Sequence, residues 1–442
     1  MRVVIVGAGG VGSYLAERLS LEGLDVVVIE ADAGRAAEVQ DLVDCLVIHG
    51  NGATYETLAA AGVDRADLFI AVSSSDAVNV LSAHAATRLG APRRIARVED
   101  PQLREEAEAL GVDLLIDPGE ATSRELVLLM QQRGVSELIE FADGRLDLIG
   151  GFITADAPVA GLTLAELRSK VKGWSWIVAA VIRDGETMIA RGATQILAGD
   201  HVLIMAETDK NDEAYRLLGF HEEPAEKVVV LGTTRLAILT ANALAEAGIQ
   251  TTLIDPELDR VRAIAADSPK VVAICGDPTD PRLLQAEGLA NADAVLALTG
   301  WDEINILGCL VAKAIGVRTA IARFHRLDLV KLLSGVGIDA GVSSRLSAAS
   351  AILRFVRRGR IHSVVTFQDS DAEALEVEIG ANSPVAGTTL RDVHLPHEVI
   401  IGGVIRGEEV FVPRGETVIA VGDRLIVIAL PSAIGAVERL SG

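Results

Sequence analysis

The chain repeats itself. Gly7 to Glu30 recurs as Gly232 to Asp255, at an offset of 225 residues. The series Gly62, Asp67, Asp76, Asn79 and Arg97 recurs as Gly288, Asp293, Asp302, Asn305 and Arg323, now at an offset of 226. Pro158-Val159-Ala160-Gly161 matches Pro384-Val385-Ala386-Gly387 at that same 226. A near-constant offset over this length marks a duplication, which has to be read before any single element. The 442 residues therefore form two halves, each of roughly 220 residues and large enough to divide again.

Each half opens with apolar runs alternating with helical stretches. In the first half the strands are Val3–Val6, Val26–Ile29, Leu46–Ile48, Leu68–Val72, Arg94–Val98 and Leu114–Ile116. Between them the pattern predicts helices over Val11–Glu22, Arg35–Leu42, Tyr55–Ala61, Ala77–Leu89 and Pro101–Leu110. Continuously apolar strands alternating with helices imply an α/β domain, a parallel sheet covered on both faces and doubly wound by right-handed crossovers. After Pro118 the pattern changes. Ala121–Arg133 is helical with a stripe at Leu126, Val127 and Met130, ending at Gly134, and Ser347–Arg358, ending at Gly359, is its counterpart. Short strands and turns such as Asp184-Gly185, Ala198-Gly199-Asp200, Arg406-Gly407 and Val421-Gly422-Asp423 follow, giving small β-rich modules that are marginal alone and expected to pair. The expected division is a nucleotide-binding domain at 1–120, a connecting helix at 121–140 and a module at 141–218. In the second half it is 226–345, 346–362 and 363–442, with the polar stretch Gly219–Lys227 as linker.

Gly7-Ala8-Gly9-Gly10-Val11-Gly12 is a GxGxxG motif between a strand and a helix, the context that gives this pattern meaning. Gly7 permits the tight turn, Gly9 lets a pyrophosphate approach the backbone, and Gly12 allows close strand–helix packing. Glu30, 23 residues beyond Gly7, can accept hydrogen bonds from ribose hydroxyls, and its charge disfavours a 2′-phosphate. NAD or an adenosine nucleotide is thus expected over NADP. Asn51-Gly52-Ala53 follows the third strand, where backbone and amide could meet adenine, although a plain turn explains it equally. Ser73-Ser74-Ser75-Asp76, with Asn79 one turn on, suits helix capping or a ligand. Arg97 ends the fifth strand and could hold a phosphate or a neighbouring carboxylate.

The second loop, Gly232-Thr233-Thr234-Arg235-Leu236-Ala237, keeps the first glycine. Thr234 stands in place of Gly9 and Ala237 in place of Gly12. A β-branched side chain at 234 would fill the phosphate's space, so the first copy is expected to bind nucleotide and the second weakly or not at all. Asp255 persists where Glu30 stood.

Composition removes several other functions. Lys and Arg total 40 against 62 Asp and Glu, a formal charge of −22. That balance offers no basic stripe for nucleic acid or anionic lipid, and aromatics at 3% offer few stacking platforms. Cys45, Cys275 and Cys309 are widely spaced and form no metal pattern. The eight histidines, including His84 and His325, join no recognisable catalytic arrangement, so an enzyme is not expected. Arg2 followed by Val3–Val6 has the look of a short secretion signal, but the glycines that follow and its recurrence at Lys227–Leu231 make it a strand. No run approaches the ~20 apolar residues of a membrane span, and a soluble cytoplasmic chain is expected.

The order of motifs along the duplicated chain resembles the TrkA family of Trk-system potassium-uptake regulators. Its carriers are Val4-Ile5-Val6-Gly7-Ala8-Gly9, Asp76-Ala77-Val78-Asn79, Ile95-Ala96-Arg97 and Asp302-Glu303-Ile304-Asn305. In the modules they are Ala198-Gly199-Asp200-His201-Val202 and Val399-Ile400-Ile401-Gly402. The resemblance implies two Rossmann-like RCK/TrkA-N domains, each followed by a small α+β TrkA-C domain. It further implies a homo-oligomeric, tetrameric ring on the cytoplasmic face of a TrkH/TrkG-type membrane subunit. Such a ring binds NAD(H) and ATP or ADP and gates potassium uptake without consuming the ligand. By motif position Gly7, Ala8, Gly9, Gly10, Val11, Gly12, Glu30, Asn51, Gly52, Ala53, Ser73, Asn79 and Arg97 would line the nucleotide site. Gly10 departs from the pattern, standing where many relatives carry a polar or Arg side chain. An NAD-dependent oxidoreductase and a nucleotide-free scaffold are the alternative readings.

Overall fold

The structure is a computed structural model that describes the chain apart from residues 22, 132–134, 172–174, 184, 221–223, 327–328, 330–335, 357–360, 367–369, 371 and 442. The expected helix ends at Glu22, Arg133 and Arg358, the closing glycines Gly134 and Gly359, the Asp184 turn and part of the 219–227 linker lie outside the described residues. The chain forms two compact units, one of Met1–Thr122 with Ser344–Val356, the other of Ser123–Ser343 with Arg357–Gly442.

In the first unit six parallel strands, β1 (Arg2–Val6), β2 (Asp25–Glu30), β3 (Leu46–His49), β4 (Leu68–Ala71), β5 (Arg94–Arg97) and β6 (Leu114–Ile116), lie in the order β3-β2-β1-β4-β5-β6. The order reverses between β1 and β4, which pair from Val3↔Leu68 to Val6↔Ala71. That reversal is the topological switch point where such sheets place ligands. Successive residues of β1 face opposite sides. Val3 and Ile5 join a core with Leu15 and Leu19 of α1 (Gly10–Leu21), whereas Val4 and Val6 join one with Val80, Ala83 and Ala86 of α4 (Asp76–Leu89). Helices α2 (Ala33–Leu42), α3 (Tyr55–Ala60) and α5 (Pro101–Ala109) complete the winding. Asp100 caps α5 through the Gln102 N–H, with Pro101 just inside.

The connecting helices do something that the sequence pattern does not show. Helix α6 (Pro118–Gln131) starts at Pro118, three residues ahead of expectation, because the Asp117 carboxylate accepts the Gly119 and Glu120 N–H groups and caps it. Leu126 and Met130 of the expected stripe, with Leu129 in place of the only partly buried Val127, share a core with Leu236, Ala237, Ala241 and Leu244 of the second copy. The counterpart helix α13 (Ser344–Val356) sets Ala348, Ala349, Ile352, Leu353 and Phe355 into the core of the first copy, against α1. The connecting helix of the second half therefore covers α1 of the first copy, while that of the first half joins the core of the second. An amphipathic stripe demands burial but does not name its partner.

The second unit carries the other parallel sheet. Its strands β12 (Lys227–Leu231), β13 (Gln250–Asp255), β14 (Val271–Cys275), β15 (Ala294–Ala297), β16 (Thr319–Arg323) and β17 (Ala340–Val342) repeat the first order, β14-β13-β12-β15-β16-β17. Helices α9 (Arg235–Glu246), α10 (Leu258–Asp267), α11 (Pro281–Ala286) and α12 (Asp302–Ile315) wind around it.

Both β-rich modules belong to this unit. One is antiparallel, built from β7 (Glu137–Phe141), β8 (Leu146–Phe152), β9 (Trp176–Arg183), β10 (Glu186–Ile189) and β11 (His201–Glu207) in the order β10-β9-β11-β8-β7. The other uses β18 (Ile361–Thr366), β19 (Glu373–Glu378), β20 (Val399–Arg406), β21 (Glu409–Phe411) and β22 (Arg424–Ala429), ordered β18-β19-β22-β20-β21. Leu146, Leu148, Leu203 and Met205 share one core with Ala374, Ile405, Ile426 and Ile428, so the two modules pair as expected. Three short helices went unread there: α7 (Leu164–Lys170), α8 (Asp212–Leu218) and α14 (Ile434–Glu438). At five to seven residues they are too short to show helical periodicity, although the Thr163/Glu166 capping box on α7 was a readable signal.

Candidate functional site

The glycine-rich loop leaves β1 at the switch point. Gly7 takes φ +97°, the left-handed region, and a Cβ there would strike Ser73 at the end of β4. A Cβ on Gly12 would collide with the Gly7 carbonyl oxygen, so α1 rises hard against the strand. A Cβ on Gly9 would meet nothing within 4 Å. Gly9 immediately precedes α1 and has no side chain to cap it. The open face of the loop and the positive pole of the helix therefore coincide.

Glu30 ends β2 and is 5% exposed. Its Oε2 accepts the Ala8 N–H at 2.6 Å and its Oε1 the Asp32 N–H at 2.9 Å. The carboxylate thus fixes the loop, while each oxygen keeps a lone pair for a ribose hydroxyl. Gly52 lies so close to Val6 that a Cβ would clash with its Cγ1. Asn51 accepts the Ala53 N–H at 2.9 Å, turning the chain after β3.

Ser73, Asn79 and Arg97 meet across the carboxyl ends of β4 and β5. Asn79 is fully buried. Its Oδ1 accepts the Ser73 N–H and hydroxyl at 2.8 and 2.7 Å, and its Nδ2 donates to the Arg97 carbonyl at 2.9 Å. The Arg97 guanidinium grips Glu99, with Nε 2.9 Å from Oε1. Ser75 caps α4, while Asp76 accepts the Glu99 and Asp100 N–H groups. These residues brace the loops that flank the glycine turn.

One neighbour was invisible to local sequence reading. Arg345, at the start of α13, lays its guanidinium over Gly10, where a Cβ would sit 2.6 Å from Nε. The signal lay in comparing the two copies. The counterpart of Gly10 is Arg235, and the counterpart of Arg345 is Gly119.

The second loop repeats the backbone and closes the space. Gly232 takes φ +102°. The Thr234 hydroxyl donates to the Leu298 carbonyl at 2.6 Å and accepts the Ala237 N–H at 3.2 Å, capping α9. The Thr233 hydroxyl donates to Asp255 Oδ2 at 2.8 Å. Helix pole and carboxylate are both engaged by the loop's own side chains.

Among the described residues no group of three His, Cys, Asp or Glu side chains could hold a metal ion, and no helix is long and apolar enough to cross a membrane. Burial pushes the Cys309 thiol up to about 12, which leaves it inert at neutral pH.

Comparison with known proteins follows the duplication. The family model of the TrkA-N domain matches residues 3–118 and 228–344, and that of the TrkA-C domain residues 152–219 and 374–442. The chain is 34% identical over 445 residues to a Trk system potassium uptake protein TrkA homolog of Archaeoglobus fulgidus, covering 100% of both. It is 31% identical over 450 residues to the Trk system potassium uptake protein TrkA of Azorhizobium caulinodans, covering 100% of this chain and 98% of that one. The solved GsuK RCK domain superposes with a TM-score of 0.62 at 19% identity, over 100% of this chain and 94% of that chain. The GsuK channel bound to NAD superposes equally well, with the same TM-score and identity, over 100% and 78%. These structural likenesses speak for the fold.

Proposed function

The chain belongs to the TrkA family, two TrkA-N domains each followed by a TrkA-C domain, and we propose that it is a non-catalytic regulatory subunit of potassium uptake. In this reading its first copy binds NAD(H) or an adenosine nucleotide, and a homo-oligomeric ring of the chain gates a Trk-type membrane transporter from the cytoplasmic face. One observation carries the nucleotide reading: open space above Gly9 at the pole of α1, beside a carboxylate at the end of β2. Gly7 to Gly12 would seat the phosphates and Glu30 the ribose. The Asn51-Gly52-Ala53 turn, with Ser73, Asn79 and Arg97, would frame the pocket. The second copy, plugged by Thr234, serves as a scaffold.

A ligand shifts a protein between arrangements only by binding one of them better. The connecting helices suit that task, since each is chained to one copy and packed on the other. A thermal-shift panel with NAD⁺, NADH, NADPH, ATP and ADP tests the reading, with Gly9→Asp as control. Ligand at about a hundred times its dissociation constant stabilises the binding unit by roughly 2.7 kcal/mol. A shift lost in Gly9→Asp, with folding unchanged, supports the site; no shift with any nucleotide overturns it.

A further inference from the structure

We propose that Arg345, carried by the connecting helix of the second half, is the cation that engages the phosphates of a nucleotide bound at the first loop. The inference rests on the nucleotide reading above and adds a residue and a regulatory route to it. A Cβ on Gly10 would lie 2.6 Å from Arg345 Nε and 3.0 Å from Cζ and Nη2, so the guanidinium covers the opening turn of α1. Among the described residues Arg345 has no hydrogen bond or ion pair. The exposed N–H groups of a helix start carry about half a positive charge. A guanidinium held against that pole faces repulsion, which an anion seated between the two converts into attraction. Phosphate oxygens fit, because the planar fork of arginine and the helix N–H groups recognise the same acceptor.

The duplication gives the assignment independent support. In the second loop the residue matching Gly10 is Arg235, and in α6 the residue matching Arg345 is Gly119. At these two matched positions each loop–helix set carries a single arginine, Arg235 on the loop itself in the second copy and Arg345 on α13 over the first loop. Gly10 leaves the room that the Arg345 side chain takes. Since α13 also lies along α1 through Ile352 and Leu353, phosphate held by Arg345 would fasten the second half's helix onto the first half's domain. Occupancy of the first copy would then be felt at the chain leading into the second TrkA-C domain.

The experiment uses the full-length protein and isothermal titration calorimetry with ADP and with adenosine, at low and high KCl. Arg345→Gln is expected to weaken ADP about tenfold, the cost of one charge-assisted hydrogen-bonding partner, to flatten the salt dependence, and to leave adenosine unchanged. ADP should slow hydrogen exchange across 344–356 in the wild type and not in Arg345→Gln. The double variant Gly10→Arg/Arg345→Gly moves the guanidinium to the loop and should recover ADP affinity without that protection. Wild type that binds ADP while Arg345→Gln binds it equally well overturns the assignment and leaves the nucleotide site standing. Wild type that binds no nucleotide overturns the site reading itself.

Discussion

Asn79 donates its side-chain amide to the Arg97 carbonyl at 2.9 Å, and Asn305 repeats that bond to Arg323 at 2.9 Å in the other copy. Both asparagines are fully buried, and each also accepts an N–H and a hydroxyl from the residue two past the end of the preceding strand, Ser73 or Thr299. The duplicated asparagine is thus a clamp that joins two strand ends, and only in the first copy does the clamp border an open loop. Asn79→Ala and Asn305→Ala should each cost about 2–4 kcal/mol, through orphaned buried groups. Thermal unfolding should register both. The response to nucleotide should weaken in Asn79→Ala alone.

Gly12 and Gly9 separate packing from binding. A side chain at 12 drives into the Gly7 carbonyl, whereas one at 9 enters open space. Gly12→Ala should therefore lower the melting temperature of the unliganded protein, while Gly9→Asp leaves it in place and removes only the ligand-induced shift. Equal melting of wild type and Gly12→Ala would contradict this placement of α1.

Each TrkA-C domain holds a buried aspartate with a half-buried arginine. Asp200 accepts from Arg183 Nε and Nη2 at 2.7 Å each and from the Leu197 N–H at 2.7 Å. Asp423 does the same with Arg406, at 2.8 and 2.7 Å, and the Ala420 N–H. The aspartates are 2% and 1% exposed while the arginine side chains remain 31% and 40% exposed, so removing an aspartate leaves a water-accessible guanidinium and an unmet N–H. Asp200→Ala and Asp423→Ala should each cost about 1–3 kcal/mol, mostly through the orphaned N–H and lost charge-assisted hydrogen bonds. Denaturant melts of the full chain would show it as early loss of the paired modules.

Asp147, on β8, gives stability a pH dependence. Burial pushes its carboxyl up to about 6, the Glu140 and Asp209 charges adding and the Thr208 hydroxyl opposing. The folded chain then keeps a proton between about pH 4 and 6 that the unfolded chain has lost. The contribution of this group to stability therefore falls as pH rises through that window and stays low above it. Asp147→Asn should be more stable than wild type at pH 7, with the difference shrinking towards pH 4. Melting curves across that range that run parallel would refute the assignment.

The duplication, the two parallel sheets and the glycine loop were legible in the chain alone, because period, apolar runs and turn chemistry are local properties. It also marked a difference between the two copies at one position: Thr234 stands where Gly9 does, and in the structure its hydroxyl caps α9. Which surfaces meet is a property of the folded chain. The stripe on α13 required a partner, but nothing in Ala348, Ile352 or Leu353 specifies α1 of the other copy. Glu30 was legible as an acid at the right distance, yet its hold on the Ala8 N–H arises from the fold of the turn. Arg345 was unreadable for the same reason. It reaches Gly10 across 335 residues of chain, and a contact of that range exists only after burial of apolar faces has chosen how the halves exchange their helices.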